Sequence, residues 1–288
     1  MDLEENGYGP PTGVGITDFA ISSENHRIVT ILGTMGVEPV HADRPLRLKN
    51  PPIVEAAIGI TVLKLPSSLL ERLKVAFPPD DAYKGRQQVT QSRLEMKIVE
   101  GQSTAFTNDE HLGWRWDSSD KLHAVQFKLD GFAFSRMGRY ETWEIFIAEA
   151  KRLWDIYFAA TGPAHVLEFG VRYINKVYIP VGVDINQYLR AYPKLPDEEK
   201  QWLLTESIMR LGVPIDSPEP GMFTHQQVLV PSDRPDHAAV ILDNDFRYHP
   251  PNGINPSDLW SRIDAVRHVK DDYFRDLITP KLLETFNV

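Results

Sequence analysis

The chain has 288 residues, a formal net charge of −9 and no cysteine. The acidic balance argues against a general nucleic-acid binder, which needs a positive field. Without cysteine there are no disulfides, thiolate metal sites or cysteine nucleophiles, a usage that fits a reducing cytoplasm, and 42% hydrophobic residues suffice for a core.

Residues 1–49 differ from the rest. Gly7-Tyr8-Gly9-Pro10-Pro11 and Gly13-Val14-Gly15 predict loop. Ile28 to Gly33 predicts a short strand added to a sheet edge, and the region as a whole reads as an appended arm. The acidic start, Met1 to Asn6, carries no apolar segment of a secretory leader. No run approaches the roughly 20 apolar residues that span a bilayer. A cytoplasmic location is the expectation.

After Pro51-Pro52, the apolar positions Val54, Ala56, Ile58, Ile60 and Val62 alternate with Glu55, Gly59 and Thr61. That period of two marks a strand with one buried face. Pro66 ends it, and Ser68 with Glu71 three residues on predicts a capping box opening a short helix through Leu69, Leu70 and Leu73. Strands are predicted at Val89–Val99, Gly113–Asp117 and Lys121–Asp130, the last two joined by a turn at Ser118-Ser119-Asp120. Trp143, Phe146, Ile147, Ala150, Leu153, Trp154, Tyr157 and Phe158 then recur at three- and four-residue spacing. They predict a helix with a broad aromatic face, ended by Thr161-Gly162-Pro163.

The order then restarts. Leu167, Phe169, Val171, Tyr173, Val177 and Ile179 share one strand face, and Glu168, Arg172 and Lys176 the other. Pro180 follows, and Asp184 with Gln187 predicts a second capping box. Trp202, Leu203, Ile208 and Met209 predict an inserted helix within 197–211, and the three prolines of Gly212–Pro220 predict a loop. Strands Met222–Val230 and His237–Phe246 come next. A long helix capped at Asn255-Pro256 would bury Leu259, Ile263, Val266, Tyr273, Phe274, Leu277 and Ile278, before a short terminal helix at Thr279-Pro280.

Fixed offsets tie the two series together. Ser68 and Asp184 lie 116 residues apart, as do Tyr157-Phe158 and Tyr273-Phe274. The prediction is an α+β fold of two pseudo-repeated halves, 50–163 and 164–288. Each runs strand, short helix, antiparallel strands, long helix. The helices would cover one face of a curved antiparallel sheet, as in TATA-binding-protein-like or helix-grip architectures.

Alternation assigns Glu55, Arg93, Glu95, Lys97, Gln126, Lys128, Glu168, Arg172 and Lys176 to the other sheet face. Mixed charges suit a polar ligand, a peptide or a protein, and equally a solvated face of cross-strand pairs. They do not make a basic DNA saddle. Arg172, beside Tyr173 and Asn175, suits either bidentate binding of a carboxylate or phosphate, or an ion pair with Glu55 or Glu168. No phosphate loop, HExxH or GxSxG pattern occurs. Asp243-Asn244-Asp245 is the weak metal candidate, two carboxylates about 7 Å apart on one strand face, though such a pair more often ends a strand. Trp114-Arg115-Trp116 puts two indoles on one face, for base stacking or for packing under a helix.

Three of these segments, Pro52-Ile53-Val54-Glu55-Ala56, Arg172-Tyr173-Ile174-Asn175 and Leu242-Asp243-Asn244-Asp245, resemble motifs of a sporadically distributed, uncharacterised bacterial family of conserved proteins. The resemblance runs from about residue 50 to the C-terminus. Gly59 departs from it, at a position where that family commonly has an acidic residue. The resemblance implies a bacterial cytoplasmic protein of an accessory system, of the toxin–antitoxin, immunity or phage-defence kind, and it supplies no catalytic residues. The expectation is a non-enzymatic binding or adaptor protein without a cofactor. It would engage a protein partner, or a second copy of itself, through the open sheet face or the cleft between halves, using Glu55, Arg93, Lys128, Glu168, Arg172, Asn175 and Lys176. A small-molecule or nucleotide sensor gated by Arg172 is the alternative. A metal-dependent hydrolase at Asp243 and Asp245 is the second alternative.

Overall fold

The computed structural model describes residues 46–78, 81–99, 102–138, 140–163, 165–193 and 205–287, with the backbone alone at 93–99, 102–106 and 108. The arm predicted for residues 1–49 therefore falls almost wholly outside the described residues, as do Trp202 and Leu203 of the predicted inserted helix.

One mixed α+β unit is built on a nine-stranded sheet in which every neighbouring pair is antiparallel. Its centre is β1 (Ile53–Val62) beside β6 (Val166–Pro180). Outward from β1 lie β5 (Gly131–Met137), β4 (His123–Lys128), β3 (Gln102–Ser118) and β2 (Tyr83–Val99). Outward from β6 lie β9 (His237–Tyr248), β8 (Gly221–Val230) and β7 (Ile208–Ile215). On each side of the central pair the strands step backward through the chain.

Register puts the large apolar residues on one face. Phe134 opposes Ile58, Ile58 opposes Val171, Val171 opposes Phe246, and Phe246 opposes Phe223. This row crosses both halves and is covered by α2 (Trp143–Thr161), α3 (Leu259–Val266) and α4 (Val269–Leu277). Phe146 stacks on Phe134 at 5.3 Å, Trp154 meets Phe132 edge-on at 5.7 Å, and Tyr273 lies 4.3 Å from Phe223. Each such ring taken out of water stabilises the fold by about 2 kcal/mol. Helix α2 has the predicted length because both its ends are signalled. Thr142 accepts from the Ile145 N–H at 3.3 Å, and Gly162 turns left-handed at φ 56°. Trp114 and Trp116 belong to the core. The Trp114 indole N–H donates to the Leu70 carbonyl at 3.1 Å, and Trp116 sits 5.0 Å from Phe77.

Several local predictions are corrected. Ser68 makes no cap bond: Ser67–Leu69 is a 3-10 turn led by Pro66, and α1 (Leu70–Lys74) is little more than one turn. Asp184 does accept from the Asn186 N–H at 3.1 Å, yet only the 3-10 turn Ile185–Gln187 follows. Strand β5 went unpredicted, although Asp130-Gly131 is a hairpin signal. A Cβ at Gly131 would lie 2.3 Å from the Ile60 carbonyl oxygen, so the close strand approach there needs glycine. Ile208 and Met209 belong to β7 rather than to a helix, and β7 extends through Pro214, which an edge strand tolerates. The C-terminal helix is broken into α3 and α4. Asn255 caps neither and bonds the Ser257 N–H instead, while α5 (Pro280–Glu284) starts at Thr279 as predicted.

Candidate functional site

The face away from the helices carries a lattice of paired charges. Arg172 holds Asp243 in a bidentate pair, Nε to Oδ1 at 2.7 Å and Nη2 to Oδ2 at 2.5 Å. Its expected partners were Glu55 or Glu168. The register instead places Arg172 opposite Asp245 and diagonal to Asp243, within guanidinium reach. Glu55 stands beside this pair, and burial pushes its carboxyl up against the opposing pull of Arg172. Arg247 donates to Asp245 at 2.9 Å and to Glu168 at 3.3 Å. His249 lies 3.0 Å from the other Glu168 oxygen, which raises the imidazole's proton affinity. Arg115 pairs with Asp117 at 2.8 Å and Lys128 with Asp130 at 3.3 Å. Every arginine and lysine named here already has a carboxylate, and the six carboxylates outnumber these four cations, so the lattice offers no unspent positive charge to a partner.

Not every predicted member belongs to it. Asn175 points to the helix face, is 3% exposed and donates to the Leu242 carbonyl at 3.3 Å. It lies beside Asn244, Gln227 and His225, a polar band between the two apolar clusters of the core. Arg93, Glu95 and Lys97 have no described side chains. Gln126 is on the open face but buried. Asp243 and Asp245 share a face as alternation predicts, yet each is engaged by an arginine. Among the described residues no three histidines or acids converge as a metal site.

Lys176 leads elsewhere. β6 has 15 residues and β1 only 10, and their register ends at Ile53 opposite Asn175. One more bond joins them, from the Lys176 N–H to the Pro52 carbonyl at 2.9 Å. The chain before Pro52 then turns away, and the Asn50 N–H donates to Phe286 at 2.9 Å. Among the described residues, β6 runs on to Pro180 with β9 on one side only. Backbone groups alternate sides along a strand, so Tyr178, like Lys176, turns its N–H and C=O toward the side that β1 has left.

The notch beside β6 is a cleft of about 690 Å³. On one side it is lined by Lys176, Tyr178, Arg234 and His237, and on the other by Tyr188 and Phe286. The Arg234 guanidinium sits 3.8 Å from the centroid of the Tyr178 ring. Lys176 and the Tyr178 hydroxyl both donate to Asp233, at 2.9 and 2.8 Å. The Lys176 bond in particular holds that carboxyl down at about 2. The described lining contains three basic side chains and no carboxylate. Such a site favours an anion lying against aromatic walls.

Of the predicted site residues, Lys176 alone reaches this cleft. Arg234 was missed because the Pro231–Pro235 segment reads only as a connection, and His237 because it reads as the first residue of a strand rather than as part of a site. No sequence signal marks the cleft, because it depends on where β1 stops pairing with β6, and the register sets that point. No described helix is long and apolar enough to cross a membrane. Compared with family models, curated proteins and solved structures, the chain matches none.

Proposed function

We propose that this is a non-enzymatic binding protein of a bacterial accessory system, and that it holds its partner at the cleft beside β6. The observation that carries this reading is the lining: Lys176, Arg234 and His237 face a 690 Å³ space that no described carboxylate lines. Asp233 offsets Lys176 from outside the lining, but Arg234 has only the Tyr178 ring as a described side-chain contact. The open face fits a supporting role better, because Arg172, Arg115 and Lys128 already have carboxylates. The sensor reading is favoured by the same cations, with one change: Arg172 does not line the cleft and gates nothing there. We also infer that the halves arose by duplication, supported by the matching strand order on either side of β1 and β6.

Native mass spectrometry of gently purified protein tests the binding site. A partner that stays on the wild type and leaves a Lys176→Ala, Arg234→Ala double variant supports the cleft. A partner kept by that variant and lost from Arg172→Ala returns the interface to the open face and sinks this assignment. A bound mass of a few hundred daltons with the same dependence supports the sensor.

A further inference from the structure

We propose that the cleft takes the free C-terminal end of an extended peptide, a reading that rests on the cleft being the binding site. Two features converge at the notch. The first is a strand edge. Tyr178 turns a backbone N–H and C=O into the space where β1 would have continued, and Pro180 adds a C=O on the same side. No described bond occupies this edge beyond the one from Lys176 to Pro52. An added extended chain supplies the matching groups, as in recognition by β-strand addition.

The second feature is charge. Arg234 and Lys176, the latter also bonded to Asp233, gather with the His237 ring at this same end of β6. The backbone of an interior peptide segment brings no charge to meet them, and an acidic side chain projects away from the strand edge rather than along it. A chain terminus brings one carboxylate, an acceptor for the guanidinium and ammonium donors. The edge separates this ligand from a simple anion. Acetate can meet the cations but has no donor for the Tyr178 and Pro180 carbonyls, and phosphate is too small to donate to both across the roughly 7 Å between them. A peptide carries N–H donors as well, and its last side chains can lie against Tyr188 and Phe286. The volume falls in the range of about 300–1,000 Å³ typical of ligand pockets, room for a few terminal residues and not for a folded surface.

The experiment is retention of the purified full-length chain on arrays of randomised hexapeptides, each synthesised as the free acid and as the C-terminal amide. The expected result is a set of free-acid peptides retained at least about 10-fold better than their amides, equivalent to about 1.4 kcal/mol. A Lys176→Gln, Arg234→Gln double variant with an unchanged melting temperature should lose that preference. The acid-against-amide comparison needs no variant, so it stands even if the double variant fails to fold. Equal retention of acids and amides overturns the proposal. So does full displacement of the free-acid peptides by millimolar inorganic phosphate, which would mark a plain anion site. If a native partner depends on Lys176 and Arg234 while amides bind as well as acids, the cleft remains the binding site and only the terminus is wrong. If nothing depends on these two residues, both readings fall together.

Discussion

Glu55 and Arg172 differ from each other in how burial treats them. Arg172 gains two bonds from Asp243, and its proton affinity rises. Removing it leaves Asp243, whose side chain is 13% exposed, without its main partner. Arg172→Ala should cost about 2 kcal/mol, less than the 3–5 of a fully buried pair because the guanidinium is a third exposed. Glu55 gains no such bond, and burial raises its pKa. The folded state therefore keeps that proton to a higher pH than the unfolded chain, whose value is about 4.3. Stability from this group is present below the unfolded pKa and is lost as pH rises through the folded one. Glu55→Gln should stabilise the protein at pH 7, and the gain should vanish near pH 4. Urea titrations at both values check this, and equal effects at the two would refute it.

The histidines set a second pH dependence. His225 is 1% exposed, bonded through Nδ1 to Asn244 at 2.8 Å, and pushed down by burial. The unfolded chain binds that proton more readily, so stability falls as pH drops below about 6.5. His123 is shifted the same way, by burial first and Arg136 second. His249 is shifted up by Glu168 and works in the opposite direction. Its contribution is present at low pH and is lost as pH rises through its folded value. Between pH 7 and 5, His225→Gln should flatten the acid loss of stability, whereas His249→Gln should steepen it. Denaturation series of the two variants would show the opposite slopes.

At the scale of elements, α2 is held by its ends as well as by its aromatic face. Thr142→Ala should cost about 1 kcal/mol by freeing the Ile145 N–H. Gly162→Ala should cost about 1 kcal/mol for a different reason. An added Cβ meets nothing within 4 Å, so the whole penalty is the left-handed backbone at φ 56°. The two sites lie about 30 Å apart along the helix, and their effects should add in a thermal-denaturation comparison of single and double variants. This helix was legible in the sequence because its period and stop signal agree, and the structure adds the Thr142 cap. β5 was not, since Phe132, Ala133, Phe134 and Ser135 are buried on both faces and show no alternation. β7 was not either. Its residues are largely exposed, and its strand form rests on pairing with β8.

For the molecule as a whole, one apolar row from Phe134 through Ile58 and Val171 to Phe246 and Phe223 crosses the boundary between halves. The halves should therefore unfold together. Phe246→Ala should cost about 3–5 kcal/mol. Although Phe246 is in the second half, the tryptophan fluorescence midpoint should shift in step with far-UV circular dichroism, since four buried tryptophans, Trp114, Trp116, Trp143 and Trp154, report on the first half. A fluorescence midpoint that stays in place would mean the halves are independent.

Alternation along the centres of β1 and β6 by itself determined which residues face the helices, because side chains on a strand must point to opposite faces in turn, whereas Val54 and Leu167, at the strand ends, are exposed against that reading. It also placed Glu55 and Arg172 on the open face, and alternation along β9 put Asp243 and Asp245 on one face; only the register brought the two sets together. Asn175 failed the same test only because its membership was taken from a motif rather than from its odd position among Phe169, Val171, Tyr173 and Val177. Partner choice was decided by the tertiary structure. Arg172 chose Asp243 over Glu55 because diagonal reach across β6 and β9 depends on register, which no single strand encodes. The cleft was decided there too. It exists where β1 stops pairing before β6 does, and Arg234, Tyr178 and Phe286 meet across it only after the sheet has set that mismatch.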